Sequence, residues 1–233
     1  MDSTVIARRP WWGVLPPLAI AFLLLGGALT PEGLDQPLSS VDRALQELPV
    51  AAAHSGRLYL ANAVVLLGLG GLAVAFAVIA TLAERGRGSS LAVLAAAVAG
   101  VACLSGVVVN VLVGLDLAGA ADAHTSREAA AQVLASQNTA FVSVAFLVAY
   151  VGGLLLAAVL MGVALWLSRR VPRWLAVLFP VGLAVGAVAP PGLVGVLLTV
   201  PIAVVMVILG VHIWRAADPA AVPARPRGNL VSS

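Results

Sequence analysis

Six apolar runs occupy most of this chain, at residues 13–29, 58–82, 91–113, 139–167, 174–189 and 192–214. No other feature constrains the fold as much. A helix needs about 20 apolar residues to cross the hydrocarbon core of a bilayer. Within lipid the backbone must satisfy its own hydrogen bonds, so such runs are helices. The reading is an all-α polytopic membrane helix bundle with six transmembrane helices. Residues 1–214 form one transmembrane domain, and 215–233 form a disordered cytoplasmic tail. Composition agrees: 61% of residues are hydrophobic and 10% charged, against about 25% charged in a soluble domain. Trp11, Trp12, Tyr59, Trp166, Trp174 and Trp214 fall near the ends of the runs, where amphipathic rings sit at headgroup level.

Charge sets the direction. The segment WLSRRVPRW, 166–174, concentrates Arg169, Arg170 and Arg173 between two runs. With the N-terminus in the cytoplasm, the inside segments hold ten arginines and three acids. The outside segments hold three arginines and seven acids. Arginine-rich loops stay inside, so both termini are expected to be cytoplasmic. All 13 basic side chains are arginine. Together with abundant Ala, Gly, Val and Leu, this suggests a high-GC bacterial genome and an inner-membrane location. The pI near 10 follows from orientation rather than nucleic-acid binding. The first run has a basic start and small residues near its end, as a cleaved signal peptide does. Its length and Pro16–Pro17 favour a retained span. The fifth run is short, about 24 Å at the helical rise. Runs five and six are either a tight transmembrane hairpin or a shallower re-entrant one.

Two outer segments are long enough for structure. In 30–57, Ser39 and Asp42 read as a helix start. Val41, Ala44, Leu45 and Leu48 share one face, with Asp42, Arg43, Gln46 and Glu47 opposite. Pro49 is expected to end this helix. In 116–138, Thr125-x-x-Glu128 is a capping-box pattern, and helix formers continue to Ala135. This helix either runs into the fourth span or breaks near Ser136–Asn138. The two units 39–113 and 126–189 follow the same order of outer helix, span, basic turn and span. That order fits a duplication, and equally a six-span chain without one.

Few residues carry chemistry. Cys103 is the only cysteine; an intrachain disulfide is excluded and buried packing is expected. His54, Asp122, His124 and Glu128 are the candidate metal ligands outside the spans, although their spacing matches no standard ligand signature. Polar residues within spans are costly and worth naming. Asn62 and Asn110 lie at similar depth on adjacent spans and are expected to contact each other or a shared water. With Tyr150 they form the candidate ligand site. Gly68, Gly70, Gly71, Gly152, Gly153, Gly182 and Gly186 are expected at helix contacts. No GxSxG, HExxH, P-loop or EF-hand pattern occurs, and no cofactor is implied. LDQPLSSVDRALQEL is similar to the start of membrane phosphatidic-acid-phosphatase-like proteins. Their Lys-Arg-Pro, Pro-Ser-Gly-His and Ser-Arg-His motifs are absent here, which excludes that assignment.

SRRVPRWLAVLFPVGLAVGAV, 168–188, resembles uncharacterised six-span integral-membrane families of actinobacteria and bacilli. Those proteins join an apolar span to the next through a basic turn and a Pro-Arg-Trp-Leu start. The resemblance implies a six-span bundle and supplies no catalytic residues. Three functions are therefore weighed. The first is a non-enzymatic membrane protein acting through lipid, a membrane-protein partner, a second copy of itself or its outer helices. The second is a small transporter or permease-like subunit with a polar site at Asn62, Asn110 and Tyr150. The third is an extracytoplasmic metal-dependent enzyme. A polar cavity between spans two, three and four favours transport; a dry Gly/Ala-packed centre favours the first.

Overall fold

The computed structural model describes residues 10–31, 34, 40–83, 88–115, 117, 119–120, 126–189 and 193–217. A 3-10 turn, Pro10–Val14, leads into α1 (Leu15–Leu29), which takes Pro16 and Pro17 in its first turn. No intrahelical N–H bond is needed there. Then follow α2 (Val41–Ala53), α3 (Ser55–Ala80) and α4 (Ser89–Val109). The last of these continues as a π-helical segment, Asn110–Leu115. α5 (Arg127–Thr139), α6 (Phe141–Ser168), α7 (Arg173–Val188) and α8 (Leu193–Ala217) complete the order. The expected tail beyond Ala217 lies outside the described residues.

Five helices are long and apolar enough to cross a membrane: Trp11–Leu29, Ser55–Ala80, Ser89–Leu112, Phe141–Ser168 and Val194–Ala216. The sixth expected span is α7, apolar but only 16 residues long. It is about 24 Å, short of a 30 Å core. The outward surface is apolar: Leu67, Val93, Leu104, Val148 and Leu197 are each more than 60% exposed. In water such a surface would aggregate; in a bilayer it is the lipid face.

The apolar helices close a ring in the order α1, α3, α4, α6, α7, α8, with α8 packed back against α1. Glycines fix the register. A Cβ at Gly71 would stand 3.1 Å from Cβ of Ala19, and one at Gly68 2.7 Å from Cδ2 of Leu23. Gly26 lies against Val65, so α1 and α3 run antiparallel in close contact. Gly88 against Ala164, Gly153 against Ala102 and Gly106 against Tyr150 do the same for α4 and α6. Gly182 and Gly186 meet Ile202 and Thr199 between α7 and α8, and Gly13 meets Gly210 between the first turn and α8. Gly70 and Gly152, expected at contacts, face open space instead. Each sits one residue from a contact glycine, about 100° round the helix, which turns it outward.

The two polar helices lie together at one end of the ring. α2 packs on α5, and α5 touches the π segment. Ala44, Leu48 and Ala51 of α2 form a small core with Ala130, Ala131 and Leu134 of α5. This pair is here called the cap. The sequence reading of its details needs correction. The α2 cap is Ser40, whose hydroxyl accepts from Arg43 N–H at 3.3 Å; Ser39 lies outside the described residues. Pro49 does not end α2 but sits inside it, on the exposed side. A proline there has no N–H to give the carbonyl of Leu45. Glu47 is not on the solvent face. It is 4% exposed and paired with Arg43 at 3.1 Å. The α5 cap is Ser126, accepting from Ala129 N–H at 3.3 Å; Thr125 lies outside the described residues. α5 does not run straight into α6, because Ala140 between them is extended, with φ −59° and ψ 137°.

Candidate functional site

At the capped end the ring holds a partly open cavity of about 400 Å³. Five of the ring helices and the π segment that follows α4 line it. Ile20, Leu23, Leu24, Gly27 and Thr30 lie at three- and four-residue spacing on α1 and just past its end, so one stripe of that helix faces inward. α3 contributes Asn62, Val65 and Leu72, and the start of the π segment contributes Asn110. Tyr150 and Leu154 come from α6, and Thr199 and Ile202 from α8.

The floor is apolar. Leu72, Leu154, Leu183 and Ile202 line the cavity and belong to the main core. In that core, Phe76 and Phe179 meet edge to face across the ring, 5.5 Å between centroids. Both rings are fully buried, so the centre is packed at this level. The roof involves the cap. Leu34 is 2% exposed, lines the cavity and packs into the cap core.

Polar groups are few and differ in state. The hydroxyl of Thr30 donates to Gly26 O at 3.1 Å. That of Thr199 reaches Val196 O at 2.9 Å and Gly195 O at 3.0 Å. Both protons are thus held by the threonines' own helices, and only oxygen lone pairs remain for the cavity. Asn62, Asn110 and Tyr150 are different: among the described residues none of their side chains makes a hydrogen bond to protein. Asn62 is nevertheless buried, only 8% exposed. Buried polar groups without partners are rare and costly. Here they are turned to a space that can hold water or a ligand.

The three candidate ligand residues are therefore brought to one cavity. No direct hydrogen bond joins Asn62 and Asn110, although both line the cavity. Asn110 starts the π segment, and such segments often occur where a helix is reshaped for function. Tyr150 is seated by Gly106, where a Cβ would stand 2.7 Å from its ring. Gly27, Thr30 and Leu34 escaped the sequence reading. Thr30 closes an apolar run, and its place on the stripe with Leu23 and Gly27 is its only signal.

The cavity lining carries no charged side chain among the described residues. It offers hydrogen bonds and apolar contact, without an acid, base or metal ligand set. Of the outer metal candidates, His54 and Glu128 lie among the described residues. Nδ1 of His54 lies 3.1 Å from Val50 O, at the junction of α2 and α3. Glu128 occupies the first turn of α5. Asp122 and His124 lie outside the described residues. Among those described, no three His, Cys, Asp or Glu side chains come together. Cys103 is buried in the main core.

Helices of membrane-crossing length and a lipid-facing apolar surface define a multi-pass membrane protein. No protein-family model matches the chain, and neither a curated protein nor a solved structure matches it.

Proposed function

We propose that this chain is a non-enzymatic membrane protein that takes a small uncharged molecule into the cavity beneath the cap, as a small transporter or permease-like subunit does. One observation carries the reading: Asn62, Asn110 and Tyr150 line one cavity, and among the described residues their side chains have no protein hydrogen-bond partner. A packing role would pair them. The size lies within the usual range of small-molecule sites, about 300–1,000 Å³. An apolar floor with a few polar groups suits an amphipathic ligand bearing hydroxyl, carbonyl or amide groups. The absence of charge from the described lining disfavours an ion.

Orientation belongs to the same proposal. The arginine bias puts the cap outside and both termini in the cytoplasm, in a bacterial inner membrane. α7 then completes a sixth crossing, with the surrounding bilayer thinned or its flanking arginines reaching to the interface.

The test uses Gly27. A Cβ added there meets no atom within 4 Å, and Gly27 lines the cavity. Purified protein in neutral detergent is screened by thermal shift against uncharged phenols, amides and long-chain alcohols. At least one class is expected to stabilise the parent chain and not Gly27→Leu. Equal shifts for both proteins, or no shift from any class, would sink the reading.

A further inference from the structure

The other end of the ring carries a second feature, independent of the cavity. An apolar groove of about 410 Å³ lies between α6 and α7. Gly162, Ala176 and Pro180 form its floor, since a Cβ at Gly162 would stand 2.7 Å from Ala176 O. Val163 and Val177 form its rims, 44% and 48% exposed on the lipid side. From Val159 to Trp166 it follows α6 for about 10 Å. At its end stands Trp166, and the Arg173 guanidinium lies 5.3 Å from that ring.

Arg173 is therefore fixed where the groove ends. Arg169 and Arg170 stand beside it in the four-residue turn between α6 and α7, both exposed. Arg170 N–H meets Ser168 Oγ at 3.4 Å, and that hydroxyl donates to Leu165 O at 2.8 Å. Arg169 has φ 54°, in the left-handed region. Glycine is the ordinary residue at such a helix end, so an arginine here sustains backbone strain to keep its charge in place. Among the described residues no acid stands beside these charges. Every acid among the described residues, Asp42, Glu47 and Glu128, lies on the cap helices at the far end.

We infer that the α6–α7 groove and Arg169, Arg170 and Arg173 form a binding site for one anionic phospholipid. An acyl chain lies in the groove and the phosphate meets the arginines. Charge complementarity selects the headgroup: guanidinium pairs with phosphate through forked hydrogen bonds, and basic sites between membrane helices favour anionic lipids. A zwitterionic lipid brings its own cation to the same three charges.

The experiment is native mass spectrometry of the full chain, delipidated in neutral detergent. It is titrated with phosphatidylglycerol or phosphatidylcholine of identical acyl chains. One phosphatidylglycerol should bind at about tenfold lower concentration than phosphatidylcholine, a ratio typical of one or two charge-assisted contacts. The triple variant Arg169→Gln, Arg170→Gln, Arg173→Gln should lose that preference. Val163→Trp, which fills the groove from an exposed position, should weaken phosphatidylglycerol binding with all arginines present. Equal binding of the two lipids, or an unchanged preference in the triple variant, overturns the site. So does undiminished binding in Val163→Trp, or full displacement by inorganic phosphate, since either leaves the groove without a part.

Discussion

The ring of Tyr150 rests on Gly106, so close that a Cβ at this glycine would stand 2.7 Å from Cδ2 and 2.8 Å from Cε2. α4 thereby sets where the phenol enters the cavity. Gly106→Ala should push the ring aside or part the helices, at a cost of about 1–3 kcal/mol typical of overpacking. Thermal unfolding in detergent reads the loss. In a Tyr150→Ala background the same change should be nearly neutral. Equal losses in both backgrounds would mean that the glycine serves something other than Tyr150.

Arg57 should prove structural, despite its exposure. Its Nε donates to Leu29 O at 2.7 Å and its Nη2 to Ala28 O at 3.0 Å. These carbonyls end α1 and have no intrahelical partner, and a cation suits a helix C-terminus. Arg57→Ala should cost about 1–2 kcal/mol, reduced from the buried value by solvent. Arg57→Lys should recover only part, because one ammonium cannot reproduce the fork. Unchanged unfolding of both variants would show that water serves those carbonyls as well.

The sequence revealed the helices far better than their faces, for a physical reason. Lipid and protein core are both apolar, so a spanning helix has little of the polar stripe that betrays the buried side of a soluble one. Length and charge located the runs and the arginine turn; nothing separated Gly71, in contact with Ala19, from Gly70, which faces open space. Asn62, Asn110 and Tyr150 stood out because polar groups are rare in such runs. Their common cavity depends on the closed ring, which no local pattern encodes. The cap erred differently. Glu47 looked solvent-facing, yet it is buried with Arg43 in place, a burial that the pattern of α2 alone does not encode.

The cap should loosen when its helix starts are weakened. Ser126 Oγ accepts from Ala129 N–H at 3.3 Å, satisfying a donor that the first turn of α5 leaves open. Ser126→Ala should destabilise α5 by about 0.5–2 kcal/mol. Hydrogen exchange of 127–139 should accelerate, with that of α4 and α6 unchanged. If exchange rises across the whole bundle instead, the cap is not a separate unit.

Topology can be checked with two exposed serines. Ser90 lies at the arginine end and Ser136 on the cap. Each is changed to cysteine in a Cys103→Ser background, since Cys103 is buried in the core. In intact cells an impermeant maleimide should label Ser136→Cys rapidly and Ser90→Cys only after permeabilisation. The reverse pattern would invert the bundle and contradict the arginine bias.

Asn62 offers the sharpest separation of binding from folding. It is 8% exposed and lines the cavity, and its side chain has no protein hydrogen bond among the described residues. A residue kept for packing would lower stability when replaced. A residue kept for a ligand sits in the apo protein at a cost, because its amide faces a largely apolar cavity with no protein partner among the described residues. Leucine is close to asparagine in shape and has the cavity to expand into. Asn62→Leu should therefore unfold at higher temperature than the parent, by the equivalent of about 1 kcal/mol, and should lose the stabilisation given by the uncharged compounds that protect the parent. Asn110→Leu should behave alike but more weakly, since Asn110 is less buried. If Asn62→Leu melts earlier, the amide is structural, and the site must be sought around Tyr150 and Thr199 instead.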